Sequence, residues 1–137
     1  MNRDSHSDQQ IVDILSLRTV AVIGMSKHSS KAAHYVPKYL IDSGYDVTPV
    51  NPTADKILDI RCYDSISEIN GSVDIIDVFR PSDQIQSIIH DCIEKKPQVI
   101  WLQEGIHDFE SEELARKAGI LVVFNRCMLA EHQRLKL

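Results

Sequence analysis

The stretch GMSKHSSK, residues 24–31, holds one glycine, three serines and two lysines. Backbone N–H groups, hydroxyl donors and local positive charge are what a phosphate needs. Gly24, Met25, Ser26, Lys27, Ser30 and Lys31 are therefore candidate anion-binding positions. The competing reading is a solvated loop with incidental lysines, because one glycine is a weak signal where a nicotinamide fingerprint has three. Asn51-Pro52, after Val50, stands where a nicotinamide-binding domain usually places an Asp or Glu for the ribose diol. A neutral amide there argues against NAD and does not repel a phosphorylated ribose; it also suits a plain turn. Phe79-Arg80 offers an aromatic face for an adenine or a pantetheine chain and a guanidinium for phosphate. Asp74, Asp77 or Asp83 could hold that guanidinium instead. Gln103 and Arg126-Cys127 complete the set. Arg126 and a following helix start would each lower the Cys127 thiol pKa, while the alternative is a buried, inert cysteine.

Catalytic chemistry needs a nucleophile beside a base, paired carboxylates or a metal set. None is legible. His28 and His34 flank the first loop without a sequence partner, and a solvated or hydrogen-bonding role fits them better than catalysis. Cys62, Cys92 and Cys127 fit no metal-ligand spacing and are read as reduced thiols.

The elements that must position these residues follow from periodicity. Ile11, Ile14 and Leu15 mark a short amphipathic helix at about 8–16, expected over the sheet edge. Thr19–Ile23 reads as the first strand and YDVTPV as the second. Between them, Val36, Leu40 and Ile41 share a helix face that ends at Gly44. Pro37 fits only in a first helical turn, so this helix is expected to start near Tyr35 or Val36, after a loop of about ten residues. An irregular stretch to Tyr63 with a short extended pair, then a short helix at SISEI, lead to VDIIDVF, residues 73–79. That nearly continuous apolar run suits a central strand covered on both faces, with Asp74 and Asp77 as its exceptions. Ser82 or Asp83 can cap a helix to about Lys96. QVIWLQ is a fourth strand, FESEELARKAG a helix, ILVVF a fifth strand and NRCMLAEHQRL a closing helix or tail. Trp101, inside a strand, is read as core.

Strands alternating with helices in this way indicate an α/β, doubly wound, three-layer fold with a five-stranded, mainly parallel sheet. All the candidate residues then fall at strand carboxyl ends, on one rim, where such sheets bind ligands. At 137 residues one domain, 1–137, is expected. A net charge of −5 without a dense basic stripe argues against nucleic acid. No apolar run approaches the roughly 20 residues of a membrane span, and no signal core is present, so a cytoplasmic location is expected.

The segments VIGMS, GYDVTPVNP, VDIIDVFRPS, VIWLQEGI, AGILVVFNRC and EHQRL, in this order, resemble the small single-domain CoA-binding proteins of the YccU-like family. These are relatives of the CoA-binding domain of succinyl-CoA synthetase. KHSSKAAH, Pro37, Asn125 and Met128 depart from the usual pattern. The resemblance implies a Rossmann-like CoA-binding fold, with CoA phosphates over Gly24–Lys27 and the remainder held at Val50–Pro52 and Phe79-Arg80. Because the synthetase's phosphorylated histidine lies in another domain, no catalytic residue is implied. The leading expectation is a CoA or acyl-CoA binding protein, a non-catalytic module or sensor, with a protein partner or homo-oligomer left open. A small CoA-dependent enzyme acting with a partner and a nicotinamide-nucleotide redox sensor are the alternatives. A reactive Cys127 would be placed to form a mixed disulfide with the CoA thiol.

Overall fold

The computed structural model describes residues 1–137. Along the chain lie α1 (Asp8–Leu15), β1 (Thr19–Ile23), α2 (Ala32–Asp42), β2 (Asp46–Val50), β3 (Lys56–Ile57) and β4 (Ile60–Arg61). They are followed by β5 (Ile75–Val78), α3 (Ile85–Glu94), β6 (Val99–Leu102), α4 (Phe109–Lys117), β7 (Leu121–Val123) and α5 (Met128–Arg134). The main sheet has five parallel strands in the order β2-β1-β5-β6-β7, and β3-β4 is a separate small hairpin. SISEI forms one 3-10 turn, Ile66–Glu68.

Alternation along each strand divides the core in two. Val20 and Val22 join Ile75, Val99, Trp101 and Val123 on the face covered by α1, α2 and α5. Ala21 and Ile23 join Ile76, Val78, Ile100 and Val122 on the face covered by α3 and α4. This is the three-layer, Rossmann-like α/β arrangement that the apolar strands call for. Helix α1 lies on the face rather than over the edge, because Ile11, Ile14 and Leu15 are all buried in the first cluster. Its start is fixed by a capping box between Ser7 and Gln10.

Helix α2 begins earlier than Pro37 allows at first sight. Pro37 sits inside the helix, where its missing N–H strands the Ala33 carbonyl. The Ser26 N–H donates to that carbonyl at 3.0 Å, so the loop supplies the bond that proline cannot. The helix thereby gains a turn, and the preceding loop shortens to residues 25–31. Neither Ser82 nor Asp83 caps α3; a 3-10 turn, Ser82–Gln84, leads into it instead.

β1 passes through α2 to β2 on one side, while β5 pairs with β1 on the other. Strand order therefore reverses between β1 and β5, and the crevice of such a sheet opens at their carboxyl ends. No helix is long and apolar enough to cross a membrane.

Candidate functional site

Gly24 leaves β1 at φ +84°, a conformation that favours glycine. Its N–H donates to Val50 O at 3.0 Å, and the Phe79 N–H donates to Ile23 O at 2.9 Å. A Cβ on Gly24 would lie 2.9 Å from the Phe79 carbonyl oxygen. The glycine thus lets β1 and β5 stay in register while the chain turns into the loop.

The loop is tied to α2 at Ser26. Besides the bond to Ala33, the Ser26 carbonyl accepts the His34 Nδ1–H at 2.7 Å, which fixes the tautomer of that buried ring. Ser26 Oγ accepts the His28 N–H at 3.1 Å. Lys27, Ser30 and Lys31 are left exposed on the loop. Lys31 is the N-cap of α2 and makes no side-chain cap bond, so the first N–H groups of that helix await another acceptor.

Arg80 faces the same crevice. Its Cδ would lie 3.6 Å from a Cβ at Gly24, the residue is half-buried, and its guanidinium joins no ion pair in the protein. Of the carboxylates weighed as its partners, Asp83 forms no ion pair with it and the other two are used elsewhere. Asp74 accepts from Thr19 Oγ1 at 2.8 Å and Gln98 Nε2 at 3.0 Å, and the Thr19 bond holds its pKa below the usual carboxylate range. Asp77 accepts from Gln103. Between the head of α2 and the ends of β5 and β6 runs a groove of about 560 Å³, lined by Tyr35, Val36, Phe79, Arg80, Gln103 and Cys127 among others.

Several expected site residues also hold the fold together. Met25 and Val50 have buried core side chains, so only their backbone reaches the rim. Asn51 donates from Nδ2 to Met25 O at 2.8 Å and accepts the Thr53 N–H at 2.8 Å on Oδ1, tying the end of β2 to the first loop. Pro52 is exposed beside it. Arg126 is buried and turned inward, paired to Asp4 at 2.7 Å and Glu131 at 3.1 Å, because the N-terminal segment crosses the end of β7. At Cys127 burial pushes the thiol pKa up, and Asp77 and Glu104 add to the rise, while the backbone N–H groups of Ala130 and Leu129 only oppose it. Trp101 is fully buried and donates from Nε1 to Arg126 O at 2.8 Å, the core role expected of it.

One group was not singled out for the site. Asp77 is wholly buried on β5, with Oδ1 accepting from Gln103 Nε2 at 2.5 Å and Oδ2 without any partner. Burial raises its pKa to about 7, against the lowering effect of the Gln103 bond. The signal was present in the sequence: an acid inside a strand covered on both faces.

The family described as CoA binding domain matches residues 18–133. The chain belongs to the CoA-binding domain family. The uncharacterized protein YneT of Bacillus subtilis (strain 168) is 33% identical over 127 residues, spanning 92% of this chain and 94% of that protein. The structure of cell-free ID.343 from Thermus thermophilus superposes with a TM-score of 0.91 at 39% identity, covering 95% of this chain and 99% of that one. An ADP-forming acetate–CoA ligase of Methanocaldococcus jannaschii is 26% identical over 129 residues, 88% of this chain but 18% of the ligase. The CoA-binding domain described here therefore corresponds to a small part of that larger enzyme.

Proposed function

We propose that this protein binds coenzyme A or an acyl-CoA at the carboxyl-end rim of its sheet, as a non-catalytic module or sensor. The observation that carries the reading is Arg80, a half-buried guanidinium with no carboxylate of its own, beside Gly24 where strand order reverses. The uncapped head of α2 and Lys27 and Lys31 supply further anion donors, and the groove beyond them has room for a pantetheine arm. Family membership supports the same ligand class. A nicotinamide nucleotide fits less well, because Asn51 is occupied by Met25 and Thr53 and no acid is there to hold a ribose diol.

Titration calorimetry with CoA, acetyl-CoA, NADH and ATP tests the reading. CoA or acetyl-CoA is expected to bind more tightly than NADH and ATP; binding of NADH without CoA would overturn it. The similarity to part of an acetate–CoA ligase favours a second reading, in which a partner supplies chemistry to the bound thioester. Turnover of acetyl-CoA that needs both this chain and a co-purifying protein would support that second reading over a sensor.

A further inference from the structure

Asp77 is an anomaly in the sheet. It is fully buried, its register neighbours Val22 on β1 and Trp101 on β6 are apolar, and one carboxyl oxygen has no partner. A buried, half-satisfied carboxylate is costly, and a fold alone gives no reason to keep one. Its single link leads to the groove. Gln103, which lines the groove, donates to Asp77 through Nε2 and accepts the Met128 N–H at 3.4 Å on Oε1, at the head of α5. The Cys127 thiol, also in the groove lining, has its pKa raised first by burial and further by Asp77 and by Glu104 beyond β6. No cation from α2 or α5 steadies the carboxylate.

A ligand in the groove covers Gln103 and Cys127 and adds negative phosphate charge at Arg80. Both changes disfavour an ionised Asp77. We propose that Asp77 is a proton-exchanging group of the ligand site: filling the groove drives it to take up a proton, so that CoA binding weakens as pH rises. This rests on the CoA reading above.

The test is calorimetric titration of the whole chain with CoA at pH 7 in two buffers of different ionisation enthalpy, for the wild type and Asp77→Asn. The wild type is expected to take up a fraction of a proton and to lose up to about tenfold in affinity per pH unit above the Asp77 midpoint. The variant should lose that uptake, while any exchange from the ligand's own phosphate persists. Carboxyl-carbon NMR of the wild type gives a second reading that needs no variant: the Asp77 midpoint should rise when CoA is added. Equal proton exchange in both proteins, or an unmoved midpoint, would overturn the proposal while leaving CoA binding intact. If CoA does not bind at any pH, the site reading falls and this inference with it.

Discussion

Two arginines on one rim should respond in opposite ways to truncation. Arg80 has no ion pair to lose, so Arg80→Ala should leave stability within about 0.5 kcal/mol of wild type. If it meets phosphate, removing a charged hydrogen-bond donor costs about 1.5–3 kcal/mol of binding, roughly 10–150-fold in Kd. Arg126 is the reverse. Its guanidinium is buried between Asp4 and Glu131, and it also donates to the Asp4 and His6 carbonyls at 3.3 and 3.1 Å. Arg126→Ala leaves the buried Asp4 carboxylate without its cation and Glu131 with only Arg134 and the more distant Arg3, a loss of about 3–5 kcal/mol. Against a total stability of about 5–15 kcal/mol this is a large fraction, and the melting temperature should fall by roughly 10–20 °C. Thermal melts and CoA titrations on both variants, at one pH and salt, make the comparison. The reasoning is refuted if Arg80→Ala melts early, or if Arg126→Ala melts normally and loses CoA affinity, for then the roles are exchanged.

Three further outcomes follow from the same geometry. Gly24→Ala should lose about 1–2 kcal/mol from its left-handed backbone alone, and more because the new methyl meets the Phe79 carbonyl; urea denaturation would show it, and wild-type stability would contradict it. Asp77 is an acid whose folded pKa, about 7, exceeds its unfolded value, so its protonated form stabilises the protein at low pH and that stability is lost as pH rises through about 7. The full shift is worth about 4 kcal/mol, less about 1–3 kcal/mol for an amide left without a partner, so Asp77→Asn should gain about 1–3 kcal/mol at pH 8 and lose about 1–3 kcal/mol at pH 4, where the acid is already neutral in the fold. A variant less stable than wild type at pH 8 would refute this. Cys127, its thiol pushed up by burial, should alkylate with iodoacetamide near pH 7 more slowly than an unhindered peptide thiol; faster reaction would restore it as a reactive group.

Most of the fold could be read from the sequence because a parallel sheet covered on both faces makes its strands nearly continuous apolar runs, and five such runs stand out. What stayed hidden depended on contacts distant in sequence. Pro37 was read by its local rule, which holds until Ser26 reaches across to the Ala33 carbonyl. Arg126 looked like a rim cation because its partner Asp4 lies at the other end of the chain. The Cys127 thiol was judged from its sequence neighbours, Arg126 and a helix start, whereas burial decides its ionisation. The rim itself was legible, since strand ends map to one edge whatever the strand order. Which of its residues face the crevice and which hold the loops together required the packing.

A crystal structure of the chain with CoA tests the central claim most directly. The account predicts the pyrophosphate against Arg80, Gly24 and the head of α2, with the pantetheine arm along Phe79 toward Gln103 and Cys127. A CoA molecule ordered elsewhere, with Arg80 still free of phosphate, would contradict it.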